Sequence, residues 1–369
     1  MKILILKPSS LGDVIQALPV LRLLKLHWPH AQIHWWIDSA LAPLLEGDPD
    51  LQGVVRFERR RWGHPRHWPE MCRSIRALRA MNFDLVIDLQ CLARSAIFAW
   101  LTNGTRLMGL DEVREGARAF YDFVVPRRSF HTHAVDWYLS ILPPLNVPVH
   151  DHFEWLPIRP DAAANIRQQW PDAPSSHPIS TPASGAPDGP FPPPRWIALQ
   201  PGARWQNKRW PVENFAELVG LLAIQYPAAR FAILGAQSDH VLGTVIAEVA
   251  PERCLNLCGA TTLPEMVEWI RRCDLMITND TGPMHAAAAM GKPLVALFGP
   301  TEPRRTGPYG QLDAVLRVDL PCSPCMKSRC SFPKAEECLR ALSPRQVIAR
   351  LGGRKPAANP AKVPGKPKI

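Results

Sequence analysis

With 369 residues, 46% hydrophobic and 21% charged, the chain exceeds one ordinary domain and is too apolar to be disordered throughout, so two domains of about 100–200 residues each are expected. No run of about 18 apolar residues occurs, and the four apolar residues before Lys7 are too few for a signal peptide, so the chain reads as cytoplasmic, with no spanning helix. The net charge of +10 sits almost wholly in residues 352–369, which carry +5, and 56–67, which carry +4; the near-neutral remainder argues against a nucleic-acid-coating surface.

In chain order, Lys2–Lys7 (KILILK) predicts a short buried strand, Pro8–Gly12 a turn, and Asp13–His27 a helix from the spacing of Val14, Leu18, Leu21 and Leu24. Ile33–Ile37 is a second strand, the region around Met71–Met81 a helix, and Leu85–Leu89 a third strand. The basic segment 56–67, with Arg59, Arg60 and Arg61 at its centre, either is a solvated loop or faces something anionic, such as a membrane surface or a phosphorylated substrate. Residues 171–194 hold nine prolines among Ser, Ala, Gly and Asp and predict an extended or disordered linker. Beyond it, strands are predicted at Trp196–Gln200, Phe231–Leu234, Leu275–Thr278 and Leu294–Phe298. Helices are predicted at Val212–Gln225, Leu263–Cys273 and Pro283–Met290. Residues 352–369 read as a basic disordered tail. Strand–helix alternation in both halves predicts an α/β fold of two doubly wound parallel sheets, with ligands at the carboxyl ends of strands.

No GxGxxG follows the first strand and no Walker A sequence is present, so a dinucleotide oxidoreductase and a P-loop NTPase fit poorly. Three strand–helix junctions carry the chemistry instead. In Ile277-Thr-Asn-Asp-Thr-Gly-Pro-Met-His285, Pro283 suits a first helical turn and Gly282 admits close approach of a ligand. The N–H groups of Thr281, Gly282 and Met284 are expected to face a diphosphate. Asp280 either binds a sugar hydroxyl or caps the helix, and a histidine in the position of His285 is more often structural. In Gln200-Pro-Gly-Ala-Arg-Trp-Gln-Asn-Lys-Arg-Trp-Pro211, Lys208, flanked by Arg204 and Arg209, can offset charge gathering on a leaving diphosphate. In Lys7-Pro-Ser-Ser-Leu-Gly-Asp13, the aspartate is either a helix cap or a general base.

These motifs, SSLGDVIQALP, PGARWQNKRWP and NDTGPMHAAAAMGKPLVALFGPTEP, occur in the order found in the ADP-heptose–lipopolysaccharide heptosyltransferases of glycosyltransferase family 9, which the chain resembles over residues 1–350 apart from the linker. The resemblance implies the GT-B fold, two Rossmann-like domains facing a central cleft: 1–170 binding the acceptor and 195–351 binding the ADP-sugar. It implies an inverting, metal-independent transfer from ADP-heptose to the Kdo or heptose of the inner core. Asp13 then falls on the family's base and Lys208 on its phosphate-binding lysine, while Asp280, Thr281, Gly282 and His285 hold the donor and the backbone of Gly202 and Ala203 approaches the phosphates. Gln237 takes the place of the family's ribose-binding acid, with Asp239 as a rival, and Thr261 lies beside adenine. Arg59, Arg60 and Arg61 are candidates for the acidic acceptor, which is lipid-anchored, so attachment to the cytoplasmic face of the inner membrane is expected.

Cys322, Cys325, Cys330 and Cys338 are spaced closely enough to chelate zinc or iron–sulfur but do not follow a zinc-ribbon pattern, so a loop of reduced thiols is the stronger reading. Cys72, Cys91, Cys254, Cys258 and Cys273 read as small buried hydrophobes. Two alternatives remain: a transferase of the same fold using another nucleotide sugar, and a metal-stabilised basic binding protein that engages an acidic polymer.

Overall fold

A computed structural model describes residues 1–111, 115–169 and 193–352. Nearly all of the expected linker and tail lie outside those residues. The chain divides into two compact units, Met1–Pro157 and Ile158–Ile369.

The first unit contains strands β1 (Lys2–Leu6), β2 (Gln32–Asp38), β3 (Gly53–Phe57), β4 (Leu85–Asp88), β5 (Arg106–Leu110) and β6 (Phe123–Val125), with helices α1 (Leu11–His27), α2 (Trp68–Ala80), α3 (Ala93–Leu101) and α4 (Ala134–Leu139). The strands form one sheet in the order β3-β2-β1-β4-β5-β6, with parallel pairing throughout. Ile3, Leu4, Ile5 and Leu6 in succession are no more than 1% exposed. That continuous apolar run, without alternation, is what a central parallel strand covered on both faces demands. Leu78 of α2 and Phe98 and Ala99 of α3 pack into one cluster with Leu4, Trp36 and Val86, so these two helices cover the same face.

The second unit begins with α5 (Pro160–Gln169) and continues with β7 (Trp196–Gln200), α6 (Val212–Gln225), β8 (Arg230–Ile233), α7 (His240–Ala247), β9 (Cys254–Asn256), α8 (Leu263–Arg272), β10 (Leu275–Asn279), α9 (Gly282–Ala289), β11 (Leu294–Leu297), α10 (Pro303–Thr306), β12 (Val315–Leu316), α11 (Glu337–Arg340) and α12 (Pro344–Gly352). Its sheet, also parallel, has the order β12-β11-β10-β7-β8-β9. Ile197, Leu199, Phe231 and Ile277 from the strands meet Phe215, Leu218 and Leu222 of α6 in its core. The boundary differs from the expected residue 170, because α5 packs on α8: Asn165 Nδ2 donates to Glu265 Oε1 at 3.2 Å, and Arg272 donates to the Ala163 carbonyl at 3.0 Å.

In each sheet the strand order reverses direction once, between β1 and β4 in the first and between β7 and β10 in the second. Crossovers leave in opposite directions at these two points, opening a crevice at the carboxyl ends of the strands. The loops after β1, β7 and β10 are the three that carry the sequence motifs.

Candidate functional site

In the second unit, the loops after β7 and β10 meet across the switch point. Lys208 Nζ donates to Asp280 Oδ2 at 2.6 Å, and Thr301 Oγ1 donates to the same oxygen at 2.5 Å. Asp280 is 5% exposed, so its carboxylate relies on these partners in place of water. Lys208 also lies 4.8 Å from the centroid of the Trp205 ring, which restrains its long side chain. The loop is anchored at its far end by Asn279, which accepts from the Trp210 backbone at 3.1 Å and donates to the Pro201 carbonyl at 2.7 Å.

Helix α9 starts beside this pair. Thr281 occupies the cap position and Gly282 the first helical one, so Asp280 is not the cap; its side chain serves the ion pair instead. The amide of Met284, expected to face a ligand, donates to the Thr281 carbonyl at 3.1 Å, which leaves the helix mouth to Thr281 and Gly282. His285, in the first turn, is buried.

The remaining donor candidates follow the neighbouring strands. A Cβ on Gly202 would overlap the Asp239 carboxylate, so that glycine makes room for a side chain of its own unit. Asp239 is buried, accepts from the Ala236 amide at 3.1 Å and pairs with Arg209 at 3.5 Å. Its carboxylate is thus engaged within its own unit, and of the two rivals Gln237 is the exposed one, packed over Gly259 in the loop that also carries Thr261. Ala203 is buried, and its carbonyl accepts from Arg209 Nε at 2.8 Å.

In the first unit Asp13 is the third residue of α1. Its Oδ2 accepts from the Ser10 amide at 3.0 Å and the Ser10 hydroxyl at 2.7 Å, so the carboxylate does bind the helix start, reaching back to the Ser10 cap. Its Oδ1 accepts from the Tyr138 hydroxyl of α4 at 3.2 Å. The cap and base readings are therefore compatible, since the capping bonds fall on one oxygen. Lys7, buried at the end of β1, donates to the Leu89 carbonyl at 3.0 Å across the first switch point and lies 4.7 Å from the centroid of the Tyr138 ring.

The sequence model of the family described as glycosyltransferase family 9 (heptosyltransferase) matches residues 71–336. The chain belongs to glycosyltransferase family 9. This glycosyltransferase is 28% identical over 378 residues to lipopolysaccharide heptosyltransferase 1 of Pseudomonas aeruginosa, covering 95% of this chain and 97% of the relative. Its fold matches that of E. coli ADP-heptose LPS heptosyltransferase II with a TM-score of 0.73 at 24% identity, covering 95% of this chain and 97% of the other. It also matches E. coli heptosyltransferase WaaC with ADP, with a TM-score of 0.70 at 24% identity, covering 95% and 99%. The GT-B fold expected of the enzyme is thereby established.

Elsewhere in this glycosyltransferase, Arg59, Arg60 and Arg61 lie exposed in the turn after β3, with Arg61 3.0 Å from Glu70. The thiols of Cys322, Cys325, Cys330 and Cys338 lie near one another, and burial with those neighbours pushes Cys338 up to about 11. Among the described residues no group of three or more His, Cys, Asp or Glu side chains is arranged to hold a metal. Four of the five cysteines read as core residues are buried; Cys72 is exposed, because it falls on the outward side of α2. Sequence reasoning missed Thr301 and Tyr138. Thr301 lies within the quoted third motif, but nothing in its spacing pairs it with Asp280, and Tyr138 sits 125 residues from its partner.

Proposed function

We propose that this enzyme transfers L-glycero-D-manno-heptose from ADP-heptose to the inner core of lipopolysaccharide, onto Kdo or an attached heptose, with inversion. The observation that carries the reading is the Lys208–Asp280 pair set beside the mouth of α9 at the switch point of the second sheet. A cation and helix-terminal amides converging on one crevice suit a diphosphate and gain strength as it takes on charge in the transition state. The ADP bound by the WaaC structure has the matching chemistry. In the reaction the acceptor oxygen attacks the anomeric carbon and its proton passes to Asp13. The bond from that carbon to the diphosphate oxygen breaks, and the electron pair leaves with ADP. Gln237 and Thr261 serve the nucleoside in this reading, and Arg59, Arg60 and Arg61 the acidic acceptor.

The lipid anchor of such an acceptor calls for peripheral attachment to the inner membrane. Among the described residues no helix is long and apolar enough to cross a membrane. The outward side of the α2–α3 layer instead exposes Trp68, Ile97 and Trp100 alongside Arg73, Arg76 and Arg94, a mixture suited to an anionic interface. The test is incubation with ADP-heptose and defined truncated lipopolysaccharides, read by product mass beside UDP- and GDP-sugars. A heptose added only from the ADP donor is expected; preference for another nucleotide overturns the donor, and no transfer to any core acceptor overturns the reading.

A further inference from the structure

We propose that Tyr138 is a positioning residue for the base: its hydroxyl, held on Asp13 Oδ1, fixes the carboxylate and stabilises its ionised form before the acceptor arrives. The proposal rests on Asp13 acting as the base. The geometry is specific. Ser10 supplies two donors to Oδ2, and Tyr138 supplies one to Oδ1 from a different helix, so the carboxylate plane is gripped from both ends. Tyr138 is 3% exposed and lies on α4, which packs along α1. A phenol so buried has no bulk water to bond, and its hydroxyl is given to the carboxylate.

The surroundings strengthen that donor. Lys7 places its ammonium 4.7 Å from the centre of the Tyr138 ring, and a cation over the ring face draws electron density away from the hydroxyl. Cys91, from the loop after β4, and Arg127 are further titratable or charged groups that act on the Tyr138 hydroxyl. Burial, then the charge of Asp13, raises the Tyr138 hydroxyl well above its ordinary value, so it stays protonated and remains a donor across the working pH range. A hydrogen bond given to a carboxylate favours its charged form, which keeps a base available at lower pH, at some cost to its strength. The same bond holds the oxygen at the distance and direction the reaction needs, and misplacement by about 1 Å is enough to slow such a step by about a hundredfold.

The test is Tyr138→Phe, which removes the hydroxyl and keeps the ring. Expected are a fall in kcat of about tenfold or more and an upward move of the acidic limb of kcat/KM by about one pH unit, with ADP affinity unchanged. In an Asp13→Asn background the same change has no further effect on the residual rate, because the two act as one unit. Incorporating 3-fluorotyrosine at position 138, a stronger donor of nearly the same shape, moves the limb in the opposite direction and serves if the phenylalanine variant folds poorly. An unchanged rate and pH limb in both substituted proteins, with Asp13→Asn inactive, overturns the role of Tyr138 alone. Full turnover by Asp13→Asn overturns the base itself and this inference with it.

Discussion

Asp280 shows how a single buried charge constrains its neighbours. With Lys208 and Thr301 both on Oδ2, removing the cation leaves a carboxylate at 5% exposure without its main counter-charge, a loss of about 3–5 kcal/mol for a fully buried pair and less here because Lys208 is 18% exposed. Lys208→Met is therefore expected to lower stability by about 2–3 kcal/mol in urea unfolding and to weaken ADP binding at least tenfold. Adding Asp280→Asn recovers most of the stability but not the ADP affinity, and unchanged ADP binding in calorimetry removes Lys208 from the donor site. Asp13→Ala is expected to abolish transfer while leaving ADP affinity within about twofold; substantial turnover in that variant excludes it as the base. The residues themselves were legible in the sequence, because each follows a strand end and carries a charge where helix and strand meet. Their partners were not. Thr301 and Tyr138 are ordinary residues until the fold brings them onto a carboxylate.

At the scale of elements, α8 and its cap illustrate a stability that depends on pH. Glu265 accepts from the Thr262 amide at 2.8 Å, the Thr262 hydroxyl at 2.9 Å and Asn165 of α5 at 3.2 Å. Burial pushes its carboxyl up, but these donors outweigh burial and hold it below the ordinary carboxylate value of 4.5. A folded-state value lowered in this way contributes stability that is complete above about pH 4.5 and is lost as pH falls through the folded value. Glu265→Gln is thus expected to be less stable than the parent by about 1 kcal/mol at pH 6, with the difference shrinking toward pH 3.5; a difference independent of pH refutes the account. The central strands and long amphipathic helices were readable from periodicity, and β7 and α6 match their expected limits. Strands β3 and β5 carry Gly and Arg, and β6, β9 and β12 are three residues or fewer, so none shows the continuous apolar run that marks the central strands. The boundary expected at residue 170 falls instead before α5, because nothing in that helix's own ten residues says which surface it docks on.

Across the molecule, charge and exposed aromatic surface belong together on the first unit. Trp100 is 59% exposed and Trp68 52%, and burying such rings at a lipid interface beside arginines is favourable, each basic residue adding about 1 kcal/mol near an anionic surface. Trp68→Ser with Trp100→Ser is expected to reduce sedimentation with anionic vesicles several-fold at low salt. The change should leave transfer to a detergent-soluble acceptor intact, and undiminished vesicle binding excludes this face. The amino-acid sequence by itself determined that two α/β units exist, which junctions carry chemistry and to which family the motifs point, because strand-end glycines, prolines and charges are local features with fixed spacing. Only the tertiary structure decided that Lys208 meets Asp280, that Asp239 turns inward while Gln237 stays exposed, and that Tyr138 grips Asp13. Those pairings join residues tens to more than a hundred positions apart, and strand order and helix packing, which no local spacing encodes, bring them together.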